Sequence, residues 1–289
     1  MIGSDVYEAK EAARRRGREV KTLLLGDSVA RQLFRPGTEQ RPEVRYATSN
    51  YAIAVAGQYY LLEDALKRLP NVREVDVLLV AGVWRNDLGP PFTDDYVCGH
   101  FHSAAQVAEV WRLKKDLRLT AVHASRWLMP NLMAENTMRR PQGPPDPPPR
   151  ATPERTWLTP AAGEPVVRLA DSLLRNPPRQ QFNFAYAPDG GIIIPISRTS
   201  RHYLAKMRDL CHRKGVRLRV LPGPLADIGH PYLDDKGIYE GEFIYMDIAK
   251  TADATHVLPP YVDEVRARVI ATHGLEGLAG PPPTSAPAP

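Results

Sequence analysis

Cysteine is nearly absent: Cys98 and Cys211 are the only two in 289 residues. Two thiols so far apart build neither a disulfide framework nor a zinc site with closely spaced ligands. Neither has the neighbours of a catalytic thiol, and a reducing compartment fits. No run of about 18 apolar residues occurs, so no transmembrane helix is expected. Met1 to Lys21 is charged and lacks the apolar core of about 7–15 residues that a signal peptide needs. Leu23–Leu25 is too short to turn Arg14–Arg16 into a twin-arginine signal. The expected location is therefore cytoplasmic, or exported if an apolar segment precedes Met1. A glycine-rich phosphate loop is missing. His100 and His102 form a His-x-His pair with no third ligand nearby, so neither cofactor nor metal is expected. The net charge of +5 owes much to Arg14, Arg15, Arg16 and Arg18. Aromatic residues scarcely interleave with these arginines, which reads as a solvated helix face rather than a nucleic-acid partner surface.

Proline, by contrast, is abundant and clustered. Twelve of the 29 prolines fall in residues 141–188. A stretch that rich in proline forms neither a regular sheet nor a long helix. Leu88 to Gly191 is accordingly expected to be an insertion, partly loop, which walls a site, covers it as a lid, or is only a floppy surface excursion. Gly280 to Pro289 reads as a disordered Pro/Ala-rich tail. Residues 1–279 then form one domain, with the insertion at 88–191. The apolar share of 43% and charged share of 25% are those of a packed globular chain.

Around the insertion, strands and helices alternate. Tyr7 to Gly17 is predicted as a helix. Val20 to Leu25 is an unbroken apolar run that stops at Gly26-Asp27-Ser28, as a strand buried on both faces would. Glu43–Thr48, Val75–Ala81 and Val216–Leu221 are further strands. Ala52–Leu69, Ser200–Lys214 and Tyr261–Thr272 are helices, the second closed by Gly215. This alternation implies a parallel α/β sheet.

Ligands of such sheets bind outside the carboxyl ends of the strands. Three reactive segments fall there. Ser28 stands on a sharp turn opening a helix, where its amide and the helix dipole face developing negative charge. Asn86 follows the third strand and can donate to an oxyanion without bringing charge. Asp253 and His256, in Asp-x-x-His spacing, precede the last helix. A base that activates a hydroxyl needs a carboxylate to orient it and to stabilise its cation. Each segment alone has an ordinary explanation: an N-cap for Asp27 or Ser28, turn chemistry for Asn86, a capped turn for Asp253 and His256. Trp84 and Trp111 pack in the core or form an aromatic platform for a sugar, and His230 is a candidate to line the crevice.

The order of the three resembles the SGNH (GDSL-like) hydrolase family. Leu25-Gly26-Asp27-Ser28-Val29 is similar to its nucleophile turn, Gly57 in Ala54-Val55-Ala56-Gly57-Gln58 to its oxyanion glycine, and Asp253-Ala254-Thr255-His256 to its last motif. Gly82-Val83-Trp84-Arg85-Asn86-Asp87 matches its Gly-x-Asn-Asp motif with extra residues between glycine and asparagine. The likeness spans residues 20–92 and 200–270. It implies a flavodoxin-like three-layer α/β/α sandwich, a catalytic Ser28-His256-Asp253 triad, and an oxyanion hole from Ser28, Gly57 and Asn86. The substrate class is then a small-molecule or carbohydrate ester, cleaved by water or passed to a hydroxyl acceptor. Ser49 to Tyr60 further resembles SGNH-like proteins of bacterial cell-surface polysaccharide acylation. Two other readings stand beside this one. One is a non-catalytic protein of the same fold that binds a glycan or a partner. The other is a plain α/β domain whose Gly26-Asp27-Ser28 is only a cap, with Ser28 and His256 more than about 6 Å apart.

Overall fold

The computed structural model describes residues 17, 19–49, 52, 54–85, 103–128, 185–227, 229–252 and 255–278. The predicted helix over Tyr7–Gly17 (Gly17 apart), the arginine run, His100, His102, Cys98, the Pro-rich stretch at 141–184 and the tail lie outside them.

Four strands form the central sheet: β1 (Thr22–Gly26), β2 (Val44–Thr48), β3 (Glu74–Leu79) and, after two short strands β4 (Ala185–Tyr186) and β5 (Ile192–Ile193), β6 (Arg217–Pro222). Their order is β2-β1-β3-β6, and all three pairings are parallel. The chain is thus an α/β protein built on a parallel sheet. Alternate residues of β1 supply opposite faces. Leu23 and Leu25 join one buried cluster, with Tyr60 and Leu62 of α2 (Val55–Arg68) and Tyr203 and Met207 of α5 (Arg198–Lys214). Leu24 joins the other, with Val29 and Leu33 of α1 (Ser28–Leu33) and Val265 and Val269 of α6 (Val262–His273). Helices therefore cover both faces, which is compatible with a three-layer arrangement. The continuous apolar run of β1 follows from this double burial. Asp76 interrupts the apolar run of β3, and its register partner Arg219 on β6 meets it with two hydrogen bonds, at 2.6 and 2.9 Å.

Part of the insertion is regular. Residues 103–128 form a helical hairpin, α3 (Ala104–Lys114) and α4 (Leu117–Leu128), turned by Lys115 in the left-handed region. Glu109 ties it to α5 through His202 at 2.7 Å and Lys206 at 2.8 Å. Beyond β6, the short strands β7 (Leu225–Ala226) and β9 (Tyr245–Met246) pair with each other, and β8 (Tyr232–Leu233) pairs with β5. Among the described residues no helix is long and apolar enough to cross a membrane.

Of the boundaries that differ from expectation, two lie beside the site. The helix predicted from Ala52 begins at Val55, with Ala54 as its N-cap residue. The third strand ends at Leu79, and Ala81–Arg85 winds into a short 3-10 helix. Both shifts fall where strand ends give way to the loops that build the site.

Candidate active site

The register aligns Gly26 with both Thr48 and Leu78, and Leu79 with Pro222, so the carboxyl ends of the four strands form one edge. The chain leaves β1 for β2 on one side and returns from β2 to β3 on the other. The crevice between the β1 and β3 ends is therefore the switch point at which such sheets bind ligands. Ser28 opens α1 at this crevice.

Three neighbours shape the turn. Gly26 is packed so tightly that a Cβ would lie 2.2 Å from the Ala30 Cβ and 2.6 Å from the Leu78 carbonyl oxygen. Asp27, fully buried, is the N-cap residue: one carboxylate oxygen accepts from the amides of Val29 at 3.0 Å and Ala30 at 3.3 Å. Its other oxygen accepts from Val80 at 2.8 Å. Burial pushes its pKa up, while the three amides and the charge of His256 oppose that shift. Because Asp27 does the capping, the Ser28 hydroxyl is left for another partner. That partner is His256, whose Nε2 lies 2.8 Å from Ser28 Oγ. The cap-only reading required a separation of more than about 6 Å.

His256 sits in a loop that folds back on itself. Ala252 donates its amide to the His256 carbonyl at 2.8 Å, Leu258 donates to Lys250 at 2.8 Å, and Thr251 faces Val257 in an antiparallel bridge. Thr255 Oγ1 is 3.4 Å from His256 Nδ1. Asp253 lies outside the described residues. Gln32, one turn after Ser28 on α1, grips the residue after the histidine: its Nε2 donates to the Val257 carbonyl at 2.5 Å, and its Oε1 accepts the Val257 amide at 2.9 Å.

Gly57 is the third residue of α2, which starts beyond the carboxyl end of β2. Its amide belongs to the first turn, where no intrahelical acceptor exists, and Ala54 offers that turn no side-chain cap. Gln58 donates to the Ala52 carbonyl at 2.7 Å and so holds the loop that delivers Gly57. Asn86 lies outside the described residues. The residues between its motif's glycine and asparagine, Val83, Trp84 and Arg85, belong to the 3-10 turn Ala81–Arg85 after β3. Trp84 pins that turn: it is fully buried, and its Nε1 donates to the Tyr239 hydroxyl at 2.6 Å, which donates to the Leu79 carbonyl at 3.1 Å. Trp84 is therefore core and not a sugar platform. Trp111 is partly exposed on α3.

Gln32, Gln58 and Tyr239 escaped sequence reasoning. Only Gln32 carried a signal, its place four residues after Ser28 on one helix face. Cys211 is a buried free thiol, its pKa pushed up to about 11 by burial, far from reactive character. No group of three or more His, Cys, Asp or Glu side chains able to hold a metal ion occurs among the described residues. No family model, no curated protein and no solved structure matches this chain.

Proposed function

We propose that this chain is an SGNH-type serine ester hydrolase or O-acyltransferase acting on an acyl ester of a carbohydrate or another small molecule. The observation that carries the reading is the 2.8 Å contact of Ser28 Oγ with His256 Nε2 at the switch point of the sheet. A hydroxyl within hydrogen-bond reach of an imidazole is an activated nucleophile. Ser28 Oγ attacks the ester carbonyl as its proton passes to His256 Nε2, and a tetrahedral oxyanion forms. Collapse breaks the bond to the alcohol, which leaves with the proton from His256, and the acyl group stays on Ser28. Water or a sugar hydroxyl then gives a proton to His256 and attacks the acyl carbon. Breakdown returns that proton to Ser28 and releases the acid or the new ester. Asp253 orients the imidazole in this scheme, and the amides of Ser28 and Gly57 with the Asn86 side chain stabilise the oxyanion. Each such donor is worth about a hundred- to a thousand-fold in rate.

The test is hydrolysis of p-nitrophenyl acetate, with and without an oligosaccharide acceptor, by wild type, Ser28→Ala and His256→Ala. Wild type turns over, and each variant loses about a thousand-fold or more. Acetyl groups found on the oligosaccharide by mass spectrometry identify a transferase. A wild type that neither hydrolyses nor transfers, or variants that match it, overturns the reading.

A further inference from the structure

We propose that Gln32 is a positioning residue for His256, an inference that rests on the serine–histidine reading above. In the antiparallel bridge between Thr251 and Val257, the flanking residues make the cross-bonds: Ala252 to His256 and Leu258 to Lys250. In such a pair the central residue's own N–H and C=O point away from its partner. Both groups of Val257 therefore face outward, and Gln32 satisfies both with one planar amide, at 2.5 and 2.9 Å. α1 has no strand to offer this loop, and the glutamine supplies the hydrogen bonds that a strand would.

The consequence is geometric. Ser28 and Gln32 lie one turn apart on the same face of a single helix. The nucleophile and the anchor of the base are parts of one rigid unit. Val257 is buried with Val29 and Leu33 of that helix, so its side chain fixes the depth of the loop while Gln32 fixes its rotation. Loosening Gln32 therefore disturbs proton transfer from Ser28 to His256 and leaves the substrate crevice intact. A displacement of about 1 Å at such a pair can cost on the order of a hundred-fold.

The experiment is the saturation kinetics of a fluorophosphonate probe on the full chain. In that reaction a bond forms between Ser28 Oγ and phosphorus, fluoride leaves, and the serine proton passes to His256. Gln32→Met keeps the length of the side chain and removes both hydrogen bonds. Gln32→Glu keeps the acceptor for the Val257 amide and turns an oxygen against its carbonyl. For Gln32→Met the maximal labelling rate falls about 10- to 100-fold, the half-saturating probe concentration stays within about twofold, and the folded fraction by circular dichroism is unchanged. Gln32→Glu is slowed by the same route and serves if the methionine variant does not fold. Wild type that labels at Ser28 beside Gln32 variants with the wild-type maximal rate overturns the positioning role and leaves the serine–histidine reading standing. Labelling that falls only in step with the folded fraction overturns it too. A folded wild type that does not label at all overturns both.

Discussion

Asp27 accepts the amide of Val80 at 2.8 Å, which fastens the turn bearing Ser28 to the end of β3. The same carboxylate caps α1 through Val29 and Ala30. One buried side chain thus joins two strand ends and starts a helix. Asp27→Ala leaves three buried amides without their acceptor, a loss of roughly 3 kcal/mol in urea unfolding. Asp27→Asn keeps one oxygen for the cap but sets an N–H₂ group against the Val80 amide. Its stability should fall between those of wild type and Asp27→Ala. An Asp27→Asn variant as stable as wild type would mean that the link to Val80 contributes nothing.

Gly26 tests how closely the turn is packed. A methyl group there meets Ala30 and the Leu78 carbonyl at distances no side chain tolerates. Both obstacles belong to a helix and a central strand, which cannot give way cheaply. Gly26→Ala should cost about 1–3 kcal/mol by thermal denaturation and slow any Ser28-dependent reaction in the folded fraction. A variant of wild-type stability would show that α1 shifts freely on the sheet.

Tyr239 holds the 3-10 turn that leads into Asn86. Tyr239→Phe strips the acceptor from the buried Trp84 indole and the donor from the Leu79 carbonyl. The expected loss is about 2 kcal/mol, read by urea unfolding. Under the proposed mechanism the esterase rate falls more than the apparent affinity, because the oxyanion donor loses its support. An unchanged rate in a folded variant would separate this turn from the chemistry.

His273 carries a pH dependence. Its Nε2 donates to the Pro222 carbonyl at 3.0 Å, so Nδ1 is the unprotonated nitrogen, and it has no hydrogen-bond partner. Burial lowers its pKa below the usual 6.5, with the Pro222 carbonyl opposing and Arg219 adding to the effect. The unfolded chain therefore binds a proton near pH 6 that the folded chain does not. Stability is lost as pH falls from about 6.5 toward the folded value, and it is regained as pH rises. His273→Gln keeps the hydrogen bond to Pro222 and cannot titrate. Its stability should depend less steeply on pH between about 5 and 7, measured as the difference in urea midpoints from wild type. Parallel pH profiles would show that His273 takes no part.

The local pattern of residues determined much of this protein unaided. The unbroken apolar run at Leu23–Leu25 suits a strand buried on both faces, and its place in an alternation of strands and helices implied a parallel sheet. Gly26-Asp27-Ser28 ended that run with a turn, and Gly215 ended α5, because a left-handed cap with φ of 65° suits glycine. The division of labour inside the turn was not legible, since Asp and Ser are equally good caps. Only the packed structure assigns the cap to Asp27, whose second oxygen finds Val80 across the sheet, and so leaves Ser28 to His256. The residue separation explains the rest: Gln32 meets Val257, and Tyr239 meets Trp84, across stretches of 225 and 155 residues. No local propensity or spacing encodes such pairs. They exist because the β2-β1-β3-β6 order brings the strand ends together, and because a buried polar group is stabilised by finding a partner.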